Sequence, residues 1–398
     1  MKKSRDSQRK GFNMENFVFN IPTTIYFGKD QIDQLPSIVS QYGKKVLMVY
    51  GGGSIKRNGI YDRATKILEK AGIDYEELSG VEPNPRIETV RQGVQICREH
   101  QIEVLLPIGG GSTIDCAKAV AAGACYDGDP WDLVLDGQKI KKALPVITVL
   151  TLAATGSEMD PAAVISDMAS GRKIGTKSKY LLPKASIMDP SYTESVNKWH
   201  TACGVADIMS HTLENYFANK EAFLQERVAE ALLKTCIQFG VRAVKYPDDY
   251  EARANLMWAG SWAINGFLKL GKPITFSVHP IEHELSAQYD LTHGAGLAIL
   301  TPHWMRYVLD DSSVERFRTY GINVWNISPE LEPYAAANLA IDKTAEYFKA
   351  LGLPSRLSEV EINENKFELM AANASKRLAG AYRKLTKEDI VHIYTNAL

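Results

Sequence analysis

Four short runs without polar alternation constrain this chain more than any other feature: "KVLMVY" (45–50), "EVLLPI" (103–108), "LPVITVL" (144–150) and "ASIMD" (185–189). A strand with one face in water alternates apolar and polar residues, whereas one lacking that alternation has both faces covered. Helical stretches separate the runs, over about 60–71, "RIETVRQGVQICREH" (86–100) and "TIDCAKAVAAGA" (113–124). "DYEEL" (74–78) is a further strand candidate. This alternation predicts a parallel, Rossmann-like sheet with helices on both faces.

After "DPSYTESVNKWH" (189–200) the character changes. Long helical patterns follow, such as "AFLQERVAEALLKTCIQFGVRAV" (222–244) and "YAAANLAIDKTAEYFKALG" (334–352), with almost no strand-like alternation. The second half is therefore expected to be an all-α helix bundle. At 398 residues the chain exceeds a single core, which stops growing near roughly 250–300 residues. The expected division is an α/β domain over 14–191 and a helical domain over 192–398, preceded by a disordered extension at 1–13. That extension, "MKKSRDSQRKGFN", is basic but has no apolar stretch behind it, so it is not a signal peptide.

Composition excludes several functions. With a formal net charge of −1, nothing favours a nucleic-acid partner. No run of about 18 apolar residues is present, so no membrane span is expected. The five cysteines are scattered and odd in number, without C-x-x-C, which suits free thiols and a cytoplasmic location.

Two of the apolar runs end alike, in Gly51-Gly52-Gly53-Ser54 and Gly109-Gly110-Gly111-Ser112. Glycine lets backbone approach a phosphate, and the helix that follows offers unpaired N–H groups and the positive end of its dipole. One such loop could be only a tight turn. Two in one alternating domain point to a dinucleotide. Neither is G-x-G-x-x-G, since the third glycine would fall at Lys56 and Ile114. Asp115 and Lys118 lie near the start of the helix after the second loop, where both could face a ligand. Dipole complementation by Asp115 and a solvated Lys118 would equally explain them.

In the helical half, "GVADIMSHTLENYF" places Asp207 and His211 four residues apart, so they share a helix face. His279 and His283 repeat the spacing, and His293 follows in "DLTHGAG". Any one of these histidines could be a core or surface residue with a satisfied hydrogen bond. Four in two short segments are hard to assign to packing, because imidazole fills a core poorly. A carboxylate and several imidazoles can enclose Zn²⁺ or Fe²⁺.

With "IGGGSTIDCAKAVA", "TLAATGSEMD", "GVADIMSHTLENYF" and "HPIEHELSAQYDLTHGAGLAILTP" in this order, residues 14–398 resemble the iron-containing (group III) alcohol dehydrogenases. Within them, the resemblance is to the butanol-dehydrogenase-like, NADP-using aldehyde reductase branch. It implies a dehydroquinate-synthase-like architecture and a divalent metal, Fe²⁺ or Zn²⁺, on Asp207, His211, His279 and His293. It leaves His283 off the metal, near nicotinamide and substrate, as a catalytic candidate. The pyrophosphate loop would be Gly109, Gly110, Gly111 and Ser112. Asp115 follows it as a cofactor contact and second catalytic candidate. Thr151, Leu152, Thr155 and Ser157 would run along the cofactor, and Lys173 would meet the nicotinamide-side ribose.

The family meets the adenine-side ribose at the first loop, Gly51, Gly52, Gly53 and Ser54. "YGGGSIKRNG" has no acid there but has Ser54, Lys56 and Arg57, chemistry that favours NADP(H) and still tolerates NAD(H). The implied activity is hydride transfer between the nicotinamide and a short- to medium-chain aldehyde or primary alcohol, in a homodimer. Two alternatives stand beside it. One is a dehydroquinate-synthase-like lyase or polyol-phosphate dehydrogenase on the same fold; the other is a non-enzymatic metal or nucleotide sensor.

Overall fold

The computed structural model describes residues 14–398, so the extension expected at 1–13 lies outside the described residues. Among the described residues eight strands form: β1 (Thr24–Phe27), β2 (Lys45–Val49), β3 (Asp74–Leu78), β4 (Val104–Gly109), β5 (Ile147–Leu150), β6 (Ala162–Asp167), β7 (Arg172–Lys177) and β8 (Ala185–Met188). Six of them make one sheet in the order β1-β8-β5-β4-β2-β3. Every pairing in it is parallel. β6 and β7 form a separate antiparallel hairpin.

The helices of the first half are α1 (Leu35–Val39), α2 (Ser54–Arg57), α3 (Ile60–Lys70), α4 (Ile87–Glu99), α5 (Gly111–Gly123) and α6 (Pro130–Leu135). The second half holds α7 (Lys198–Tyr216), α8 (Phe223–Lys245), α9 (Tyr250–Ile264), α10 (Val278–Tyr289) and α11 (His293–Val308). It continues with α12 (Val314–Trp325), α13 (Pro333–Ala350), α14 (Phe367–Ala374) and α15 (Lys387–Asn396). Among the described residues no helix is long and apolar enough to cross a membrane.

Strand β2 shows why the expected runs are apolar throughout. Val46 and Met48 enter the apolar cluster on one face of the sheet, and Leu47 and Val49 the cluster on the other. A third cluster, spanning Ala202 to Ala397, fills the helical half. A small fourth joins Ile114, Leu150 and Met188 of the first half to Met257 of α9.

The strand order positions the site. From β2 the chain moves outward to β3; from β4 it moves the opposite way, to β5. The carboxyl ends of neighbouring β2 and β4 therefore flank the point where the winding reverses, the place where open α/β sheets bind ligands. Both glycine loops leave from those two ends.

Candidate active site

Gly52, Ser54, Gly110, Gly111, Ser112, Leu152 and Thr155 line a crevice of about 430 Å³ beyond these strand ends. α5 begins at Gly111, with Gly110 in extended conformation before it. Glycine is required at 111 by the protein itself, since an added Cβ would stand 2.2 Å from Thr155 Oγ1. Gly51, Gly53, Gly109 and Thr151 line neither this crevice nor its neighbour. They shape the loops instead: Thr151 N–H donates to the Gly109 carbonyl at 3.0 Å, and Gly53 takes a φ of 87° before α2.

A second cavity of about 320 Å³ adjoins the crevice, and Asn84, Ser112, Thr155, Asp207 and His293 line both. Its wall includes Asp115, Ser157, Lys173, His211, His279 and His283. Both oxygens of Asp115 are held by the protein. Ser157 Oγ donates to one at 2.6 Å and Val164 N–H to the other at 2.9 Å. Burial pushes its carboxyl up to about 6. Lys173 donates to Asn84 Oδ1 at 2.8 Å, and burial lowers its ammonium pKa against the pull of Glu282 and Asp207.

Lys118 is neither ligand-facing nor solvated. It is fully buried and donates to the carbonyls of Asp160 and Ala162 and to Asp160 Oδ1, at 2.8–2.9 Å. It sits far enough along α5 to point into the protein, where it pins the segment entering β6.

Asp207 and His211 come from α7, His279 and His283 from α10, and His293 opens α11. Asp207 Oδ1 lies 3.5 Å from His211 Nδ1, 3.5 Å from His279 Nε2 and 3.8 Å from His293 Nε2. Asp207 Oδ1, His211 Nδ1 and His279 Nε2 are buried without a hydrogen-bond partner. Orphaned polar atoms of this kind are costly unless something satisfies them. Ligands about 2.0–2.2 Å from a tetrahedral Zn²⁺ stand about 3.4 Å from one another, and the separations here match. The donor set fits a divalent metal.

Burial works against charge on Asp207, but the surrounding imidazoles hold its carboxyl far below the usual range. Burial lowers His211 to about 3 against the attraction of Asp207. At His279 burial is outweighed by Glu214 and Asp207, which push it up to about 9. Burial, then the Lys173 ammonium, hold His283 well below the ordinary imidazole value.

Residues 22–190 match the family described as iron-containing alcohol dehydrogenase, and residues 201–398 match the C-terminal part of the Fe-containing alcohol dehydrogenase family. The chain belongs to the iron-containing alcohol dehydrogenase family. It is an oxidoreductase of the alcohol dehydrogenase and aldehyde reductase type, using a nicotinamide cofactor and a metal. It is 55% identical over 385 residues to NADH-dependent butanol dehydrogenase A of Clostridium acetobutylicum, covering 96% of this chain and 99% of that protein. To the NADPH-dependent aldehyde reductase YqhD of Escherichia coli it is 39% identical over 350 residues, 87% of this chain and 89% of that one. The crystal structure of NADH-dependent butanol dehydrogenase A from Thermotoga maritima superposes with a TM-score of 0.93 at 38% identity, over 97% of this chain and 100% of that chain.

Sequence reasoning missed two carboxylates of this alcohol dehydrogenase's site. Glu214 meets His279 Nδ1, and Glu282 meets His293 Nδ1. Glu214 follows His211 by three residues and Glu282 follows His279 by three, so the helical spacing that exposed the histidines also carried the acids. Phe276, whose ring centre is 5.1 Å from that of His279 and 6.1 Å from that of His211, was missed as well. At the first glycine loop and the helix after it, Ser54 and Arg57 line the crevice together with Glu82. Lys56 turns away. It lies over the Tyr50 and Tyr61 rings and 3.6 Å from Glu77.

Proposed function

We propose that the chain interconverts short- to medium-chain aldehydes and primary alcohols, with the metal on Asp207, His211, His279 and His293 and the dinucleotide in the adjoining crevice. One observation carries this: the unpartnered inward atoms of Asp207, His211 and His279 open onto a cavity continuous with the crevice at the switch point of the sheet. When bound, a divalent ion there supplies Lewis-acid polarisation of a carbonyl oxygen, and a reduced nicotinamide supplies the hydride.

The residues provide the setting. Asp207 brings the one negative charge of the ligand set, and its burial strengthens that charge's reach. Ser112 and the N–H groups opening α5 hold phosphate, while Lys173, steadied by Asn84, faces the ribose end. His283, on the cavity wall beside His293, handles the proton of the substrate oxygen. Asp115 acts by bracing Ser157 and Val164 rather than by touching substrate. Ala162, Val164, Ile264, Phe276 and Pro280 give the cavity an apolar side that excludes water and suits an alkyl chain. Among the described residues Lys173 is its only Lys or Arg, which disfavours a phosphorylated or polyanionic substrate and hence the lyase and polyol-phosphate readings.

The dinucleotide preference is proposed to turn on Arg57, the only Lys or Arg among the described residues that lines the crevice, with NADPH and NADH both accepted. Iron and zinc share this ligand set. The two halves are proposed as separate domains meeting near residue 191, in keeping with the apolar cluster whose buried members all lie between Ala202 and Ala397. Elemental analysis of purified protein, then an aldehyde panel followed at 340 nm with NADPH and NADH, tests the proposal. Metal-free protein that reduces butanal at full rate would overturn it.

A further inference from the structure

Glu214 is nearly fully buried, and one of its oxygens accepts the backbone N–H of Val278 at 2.8 Å. The other accepts the His279 N–H at 3.0 Å, and the Ser277 N–H joins them. Ser277, which precedes α10, offers no side-chain cap of its own. Glu214 of α7 thus caps α10 from outside, satisfying N–H groups that a helix start leaves open and placing negative charge at its positive end. The same carboxylate also meets the Nδ1 of His279.

Glu282 repeats the arrangement between α10 and α11. It is fully buried, meets His293 Nδ1, and receives the Ser286 hydroxyl at 2.6 Å on its other oxygen. Room for it is made across the helix pair by Gly296, where an added Cβ would stand 2.7 Å from Glu282 Oε1. In both pairs the carboxylate engages Nδ1, and Nε2 is the atom that faces Asp207. His211 differs. Its Nδ1 is the inward atom and has no partner.

A neutral imidazole has one N–H and one lone pair, and whichever nitrogen donates leaves the other free to ligate. A carboxylate on Nδ1 therefore keeps a proton on that nitrogen and fixes the ring plane, leaving the inward Nε2 as the nitrogen that gives a lone pair to a metal; the imidazolium of metal-free His279 releases its Nε2 proton as the ion binds. We propose that Glu214 and Glu282 are positioning residues that preset His279 and His293, so that the metal pocket is formed before the ion arrives. This rests on the metal reading given above. It implies that metal affinity depends on side chains that never touch the metal.

The test uses full-length protein stripped of metal. Zn²⁺ affinity is measured by competition with a chromophoric chelator, and the ligand field is read from the absorption spectrum of the Co²⁺-loaded protein. Glu282→Gln keeps an acceptor without the charge, and Glu282→Leu removes both. Weakening of Zn²⁺ binding by about 10–100-fold, larger in E282L than in E282Q and with an altered Co²⁺ spectrum, is the expected result. Glu214→Gln is expected to fall in the same range.

Ser286→Ala removes one hydrogen bond from Glu282 while leaving the acid in place. It is expected to weaken Zn²⁺ binding severalfold, and it answers the question should the Glu282 variants not fold. Folding is followed by thermal melting of the metal-free forms. Wild-type affinity and spectrum in folded variants would overturn the proposal. So would a second equivalent of metal that disappears in E282Q, because Glu282 would then be a ligand. His279→Ala separates the two readings. If wild type binds one metal, H279A binds none and E282Q binds normally, only the positioning role fails; if wild type binds none, the metal site itself fails.

Discussion

His279→Ala removes one of the inward nitrogens around Asp207, and with it the hydrogen-bonded link to Glu214. Metal content should fall from one per chain to near zero. Turnover should drop at least about 10³-fold, since Lewis-acid stabilisation is worth several kcal/mol. Elemental analysis beside a 340 nm assay reads both, and full activity without metal would refute the ligand assignment. Arg57→Ala removes the one Lys or Arg that lines the crevice among the described residues, and kcat/KM for NADPH relative to NADH should fall about tenfold, the weight of a partly exposed charge-assisted hydrogen bond. An unchanged ratio would mean that the 2′-phosphate is met elsewhere. The clustering of Asp207 with His211, His279 and His293 was legible because chemistry-bearing side chains at helical spacing stand out from core residues. Glu214 and Glu282 were not, because an acid within a helix ordinarily means a solvated face. Lys118 went the opposite way: its three oxygen partners lie 42–44 residues away in sequence and leave no local trace.

Helix approach decides whether those side chains converge. α11 begins at His293, and a Cβ on Gly294 would stand 2.1 Å from the Cys203 carbonyl oxygen of α7. Gly294→Ala should push the two helices apart. We expect a stability loss of about 1–3 kcal/mol in urea unfolding of the metal-free protein, together with weaker Zn²⁺ binding as His293 shifts. A variant as stable as wild type would show that α7 and α11 have room to spare. The central strands could be read from sequence because β2, β4, β5 and β8 are buried almost throughout. The sequence reading lacked β1 and the β6–β7 hairpin. β1 is a four-residue edge strand, exposed or half-buried throughout, and β7 reads "RKIGTK", its polarity set by standing outside the main sheet. That hairpin carries Lys173, so a residue of the cavity wall could be named without knowing what held it.

At the scale of the whole molecule, the two halves meet through a buried acid. Glu158 belongs to the segment between β5 and β6, is 2% exposed, and accepts the hydroxyl of Ser261 on α9, 103 residues away. Its backbone carbonyl also receives Ser186 Oγ at 2.6 Å. Burial pushes the carboxyl up to about 7 from an ordinary value of 4.5, with the Ser261 hydrogen bond opposing. Below pH 4.5 the folded and unfolded chains both hold the proton, and Glu158 lends no pH dependence. Between 4.5 and 7 the folded chain keeps a proton that the unfolded chain has lost, so stability falls as pH rises. Above 7 both are ionised, and the full cost of a buried charge, on the order of 3 kcal/mol, weighs on the fold. Glu158→Gln carries no charge at any pH. It should match wild type near pH 4.5 and be more stable at pH 8, with the gap opening between those values in parallel urea titrations of metal-free protein. A gap that is constant with pH would mean that Glu158 stays ionised in the folded chain. The halves would then be joined across a charge stabilised by the Ser261 hydroxyl and the Lys118 ammonium.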